Sequence, residues 1–186
     1  DPTGTIAIGY QALLEEDNAD YTVAIGAFAL TKQNAGTVWS DNIGIGPNAG
    51  YQNVTGVGNT WVGAEAGVGA SGQSNSDNTG VGRDAMSAIT TGVKNSAVGT
   101  SAGAAVTTAS GSAFLGYSAG NGVTTGNWNI AIGRGAMNTG GSTGDNNIAI
   151  GGAAGDALTS GYRNVLMGQN AGSAITTGYK NTFIGK

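Results

Sequence analysis

The sequence predicts an all-β parallel β-solenoid of about ten 17-residue coils, and three observations point there: a recurring five-residue phrase, an Ala fixed behind it, and a closing turn. The phrase is a polar residue, two mostly apolar residues, an aliphatic and Gly. It starts as Thr5-Ile6-Ala7-Ile8-Gly9, returns as Asn95-Ser96-Ala97-Val98-Gly99 and Asn147-Ile148-Ala149-Ile150-Gly151, and ends as Asn181-Thr182-Phe183-Ile184-Gly185. Successive phrase glycines lie 17, 20, 17, 19, 17, 17, 17, 18, 17 and 17 residues apart, so eleven copies fill one repeat domain over residues 1–186. Three residues after each of the first ten glycines stands Ala, from Ala12 and Ala29 to Ala154 and Ala171. Such a unit is too short to bury a core alone and too regular for a linker, so neighbouring units must stack.

The first element of each unit is a strand. The residue before Gly is Ile, Val, Leu or Met in all eleven copies, Ile8, Ile25, Ile45, Ile132 and Ile150 among them, and is expected as an inward ladder. One residue earlier the side chain points to the opposite face, which is also small or apolar: Ala7, Trp61, Phe114 and Phe183 belong to it. A strand apolar on both faces needs cover on the second, and the simplest cover is another copy of the chain around a common axis. Both rows are therefore candidates for core or inter-chain packing.

The second element is a bend at Gly leading into a short second strand. The third is a turn, clearest in Ile89-Thr90-Thr91-Gly92-Val93-Lys94-Asn95 and Ile175-Thr176-Thr177-Gly178-Tyr179-Lys180-Asn181. Gly supplies positive φ there, while Thr and Asn can bond the local backbone. Helices are disfavoured because Gly recurs in most helical windows, at ~1 kcal/mol each.

Composition removes other classes. The chain has 36 Gly but 2 Pro and no Gly-X-Y period, which excludes collagen. With no Cys and no His it lacks a disulfide framework, thiolate metal ligands and an imidazole base. A net charge of −4 without a basic cluster argues against nucleic acid, and no apolar run is long enough to insert in a membrane. The Gly-rich stretches around Gly44–Gly50 and Gly80-Val81-Gly82-Arg83-Asp84 lack the Lys-Ser/Thr of a phosphate loop and are explained by the repeat, so no cofactor is expected. Glu15, Glu16, Asp17 and Asp20 offer oxygen ligands for calcium but not the spacing of a dedicated loop, and read as a solvated loop. Asp84 and Asp156 follow bends of well-separated units and cannot converge on one substrate. The chain is expected not to be an enzyme; a glycan-cleaving fibre enzyme with carboxylates from neighbouring chains is the catalytic alternative.

Candidate recognition residues come from the irregularities. The longest unit, Gly26 to Gly46, carries Trp39 on an insertion expected to bulge outward, where an indole can stack on a sugar or fold back over the next coil. Lys94, Trp128, Arg163 and Lys180 share one position in their units and are expected as a broken outer row, touching glycans or keeping the rod soluble.

The Asn-x-Ala-Ile-Gly-x-x-Ala phrase resembles the repeats of trimeric autotransporter adhesin heads of the YadA type, and Thr-Thr-Gly-x-x-Asn-x-Ala-Ile-Gly is similar to repeats of bacteriophage tail-fibre shafts. The resemblance covers the whole chain, although the unit is longer than the adhesin phrase. It implies a left-handed β-roll, a homotrimer, and an attachment fibre outside the cell, on a cell or virion surface. The partners it implies are the chain itself and a surface glycan or protein receptor; a purely structural shaft is the other reading. Both ends lie beside phrase strands with no polar cap, which leads to the expectation of a longer fibre or of subunits stacked end to end.

Overall fold

The computed structural model describes residues 4–16, 21–36, 39–139 and 141–186. Each phrase forms one three-residue strand: β1 (Ile6–Ile8), β2 (Val23–Ile25), β3 (Ile43–Ile45), β4 (Thr60–Val62), β5 (Thr79–Val81), β6 (Ser96–Val98), β7 (Ala113–Leu115), β8 (Ile130–Ile132), β9 (Ile148–Ile150), β10 (Val165–Met167) and β11 (Thr182–Ile184). The strands stack in sequence order into one parallel sheet of eleven. Register is kept throughout, so that equivalent residues of successive phrases sit side by side, as in Ala131 beside Ala149 and Ile132 beside Ile150. Each strand with the segment up to the next makes one coil, numbered here by its strand. The protein is an all-β solenoid of about ten turns, with no helix among the described residues.

The second strand expected after the bend is absent among the described residues. Through Gly116, Ser118 and Gly120 the φ angles are 129°, 52° and 65°, and a chain that revisits positive φ at alternate residues cannot extend. Inter-coil hydrogen bonding continues regardless: Ser118 N donates to Thr100 O at 3.0 Å and Gly103 N to Ala119 O at 2.8 Å. The phrase glycine is required by close approach as well as by φ. A Cβ on Gly99 would lie 2.5 Å from the Gly116 carbonyl oxygen of the next coil.

The faces of the strand are the reverse of the expectation. The middle residue of each phrase points inward: Ala24, Trp61, Ala97, Phe114, Ala131, Ala149 and Leu166 are buried, against the row of alanines from Ala29 to Ala171. The residue before Gly points outward; Ile25, Ile132 and Ile150 are half-buried, and Ile8, Ile45, Val98, Leu115 and Met167 are exposed. The reason is space. A coil of 17 residues encloses so narrow an interior that Ala and Gly must dominate the inner row, and the uniformly bulky row has room only outside. Phe183, in the inward position of β11, is 45% exposed.

Where a large residue does enter the interior, its neighbours shrink. A Cβ on Gly67 would fall 2.2 Å from the Trp61 ring, one on Gly120 2.0 Å from Phe114, and one on Gly172 2.6 Å from Leu166. These glycines stand four residues after the phrase glycine. In coils 2, 5 and 8, where mid-strand is Ala or Gly, that same position holds buried Leu30, Met86 or Met137, while coils 3, 6 and 9 are small at both places, with Gly50, Gly103 and Gly155 four residues after the phrase glycine. The exchange follows a rhythm: Leu30, Met86 and Met137 occupy coils 2, 5 and 8, while Trp61, Phe114 and Leu166 occupy β4, β7 and β10.

The polar residue opening each phrase is also internal. From Asn42 to Asn181 these side chains build an axial ladder, with Ser112 standing in once. Asn147 shows the unit: Nδ2 donates to Asn129 Oδ1 at 3.1 Å and to Gly161 O at 2.8 Å, while Oδ1 accepts from Asn164 N at 3.1 Å and Asn164 Nδ2 at 2.9 Å. Every donor and acceptor of the buried amide is thereby used, which burial demands.

Candidate functional site

The residue before each phrase, preceding its opening Thr, Asn or Ser, lies in the left-handed region. In chain order the row reads Gly4, Tyr21, Asp41, Gly58, Asp77, Lys94, Gly111, Trp128, Asn146, Arg163 and Lys180, with φ between 48° and 70°. Six of these eleven are Gly, Asn or Asp, the types that tolerate the conformation; Tyr21, Lys94, Trp128, Arg163 and Lys180 are held there against preference. Lys94, Trp128, Arg163 and Lys180 thus fall on one exposed line along the rod, as their shared unit position predicts. The line is broken. Gly111 separates Lys94 from Trp128, whose ring lies 2.4 Å from where a Gly111 Cβ would stand, and Asn146 separates Trp128 from Arg163.

Among the described residues, Arg163 is the one cation of this line that packs over an aromatic ring. Tyr162 and Tyr179 stack at 5.1 Å with ring planes 4° apart, and the Arg163 guanidinium sits 5.9 Å from the Tyr162 centroid. Trp39 stays 66% exposed and meets Tyr21 edge-on, with centroids 6.3 Å apart. It is therefore remote from Arg163 and Lys180, at the other half of the rod.

The insertion carrying Trp39 does more than bulge outward. Thr37 and Val38 lie outside the described residues, but Gln33 turns fully inward. Its Oε1 accepts from Asn42 Nδ2 at 3.0 Å and Asn53 Nδ2 at 3.1 Å, and its Nε2 donates to Gly56 O at 3.3 Å. This internal polar plug stands at a regular unit position, seven residues after the phrase glycine, which Asn53 occupies in the next coil. Of the acidic loop, Asp17 and Asp20 lie outside the described residues, and the Glu15 carboxylate is engaged by the Lys32 ammonium, which raises the Lys32 pKa. Among the described residues no cluster of three His, Cys, Asp or Glu is arranged to hold a metal.

One concavity was missed by the sequence reading. Across coils 7 to 9 a groove of about 400 Å³ is lined by Tyr117, Asn121, Arg134, Asn138 and Asp156. Its signal is positional: Asn121, Asn138 and Asp156 each stand five residues after their phrase glycine, and Tyr117 and Arg134 one residue after theirs. Aligning whole units column by column exposes it; no local motif does. No family model, curated protein or solved structure matches the chain.

Proposed function

We propose that the chain is a non-enzymatic segment of an extracellular fibre or adhesin, homotrimeric around a central axis, that mediates or positions attachment to a cell or virion surface. The observation that carries this reading is the outward aliphatic row. In mid-rod coils, with neighbours on both sides, Val98 and Leu115 remain 42% and 51% exposed, and Ile130, Ile132, Ile148 and Ile150 continue the stripe half-buried. Contiguous apolar patches of this kind mark interaction surfaces rather than solvent-facing skin. Because every coil offers the same stripe, copies of the chain can cover one another by rotation about a shared axis. Three chains and a left-handed winding follow from the resemblance to adhesin heads and tail-fibre shafts. Absence of catalysis is supported by the spacing of the carboxylates: Asp84 and Asp156 belong to coils four apart, roughly 19 Å along the axis.

Sedimentation equilibrium tests the assembly. The wild-type chain is expected at three times its 18.1 kDa mass. Ile132→Asp places a carboxylate in the covered stripe and is expected to yield folded monomers, with circular dichroism unchanged. A soluble wild-type monomer at micromolar concentration would overturn the reading. A purely structural shaft is favoured by the uniform 17-residue coils 5 to 7, and labelled protein that fails to adhere to any cell surface would select it.

A further inference from the structure

The groove over coils 7 to 9 is a product of side-chain size at one position. Two residues after the phrase glycine, successive coils carry Gln11, Phe28, Asn48, Glu65, Asp84 and Ser101, and then Ser118, Gly135 and Ala153 before Asn170. Where this column falls to Gly135 and Ala153, a floor opens between Tyr117 and Asp156. The wall residues are committed to little else. Among the described residues, Arg134 and Asp156 enter no ion pair, and Asn121 Nδ2 makes one long hydrogen bond of 3.4 Å to Asn138 Oδ1, leaving the other half of each amide open. Tyr117 is 60% exposed and makes no aromatic pair among the described residues.

We infer that this groove binds a neutral saccharide. An exposed phenol ring offers a flat apolar face to the C–H side of a pyranose. Around it, the amides of Asn121 and Asn138, the guanidinium of Arg134 and the carboxylate of Asp156 supply paired donors and acceptors, the planar forks that hydroxyls on adjacent ring carbons require. The volume lies within the range of small-ligand sites. Charge selects the class: one cation and one anion share the groove, so an anionic ligand gains from Arg134 what it loses against Asp156, while a neutral polyol uses both. The inference deepens the attachment reading and rests on it.

The test uses the intact chain and the methyl glycosides of N-acetylglucosamine, galactose and mannose, with sialyllactose as the charged comparison, by saturation-transfer NMR and titration. Gly135→Asn fills the floor without disturbing the coil. Asn48 and Asn170 hold the same position at φ 57° and 58° against 65° for Gly135, and an added Cβ would meet nothing nearer than Asn138 Cβ at 3.9 Å. At least one neutral glycoside should bind, Gly135→Asn should weaken it about tenfold or more with an unchanged melt, and Arg134→Gln should weaken it in the same direction. No binding by any neutral glycoside, equal binding by Gly135→Asn, or preference for sialyllactose would each overturn the inference. Adhesion to glycan-bearing cells that survives Gly135→Asn sinks the groove and leaves attachment standing; no adhesion by the wild-type chain sinks attachment itself.

Discussion

Coils 2 to 4 and coils 5 to 10 share one backbone and fill it differently. Seven residues after the phrase glycine, coils 2 and 3 place Gln33 and Asn53, whereas coils 5, 6, 7, 9 and 10 place Ile89, Val106, Val123, Leu158 and Ile175. In the early coils Gly56 O gathers Gln33, Asn42 and Asn53 into a buried amide cluster. In the later coils the following threonines take over the polar work at the edge: Thr90 Oγ1 donates to Thr107 O at 3.1 Å, and Thr107 Oγ1 to Thr124 O at 3.2 Å. The lesson is that the phrase glycine and the Asn ladder define the coil, while the remaining interior accepts any content that fills it and satisfies its own hydrogen bonds.

The sharpest way to break that comparison is to overfill the later half. Gly120→Ala drives a methyl into the Phe114 ring and strains a residue at φ 65°, and is expected to cost about 4 kcal/mol, whereas Gly36→Ala, in the early half with nothing within 4 Å, should cost about 1 kcal/mol through φ alone. Denaturant melts that rank the two equally would mean the later interior is loosely packed. Exchanging contents is the next largest test. Leu158→Gln buries an amide among apolar neighbours for about 3 kcal/mol, while Gln33→Leu leaves Asn42 and Asn53 still bonded to Gly56 O and should cost nearer 1–2 kcal/mol. Equal losses would show that the two interiors are interchangeable. The smallest effect is expected on the outer line: Lys94→Asp, at a φ of 60° that Asp tolerates, should move stability by less than about 0.5 kcal/mol.

Much of the fold was legible because periodicity survives translation into space: the eleven phrases became eleven strands in order. The inversion of faces was legible too, but through a different cue than hydrophobicity. The row of Ile, Val, Leu and Met looked like a core because it was bulky and uniform; the true inner row is uneven, with Trp61, Phe114 and Leu166 each compensated by glycines in the same and the preceding coil. Compensation is the mark of an interior, since only enclosed residues must share a fixed volume. The Asn ladder escaped notice because an Asn beside a turn has an ordinary explanation in turn chemistry, and nothing local distinguishes it from one that bonds the next coil 17 residues away. Of the candidate recognition residues, the shared line of Lys94, Trp128, Arg163 and Lys180 followed from unit position alone. Column-wise comparison was needed for the groove, whose walls are brought together by stacking rather than by sequence proximity.

The alternation of large residues with glycines has a consequence for how such a rod can change length. Strand contacts join only adjoining coils, so gain or loss of a repeat by unequal exchange would at first appear neutral. Yet Met86, Phe114 and Met137 occupy coils 5, 7 and 8 with glycines phased between them. Removing coil 6 alone would bring the Phe114 strand directly against the coil that holds Met86, two bulky side chains competing for one glycine's space. Removing three consecutive coils restores the phase. Deletion of three consecutive coils is therefore expected to leave the rod folded where deletion of one is not, a step size set by side-chain volume and invisible in the 17-residue period itself.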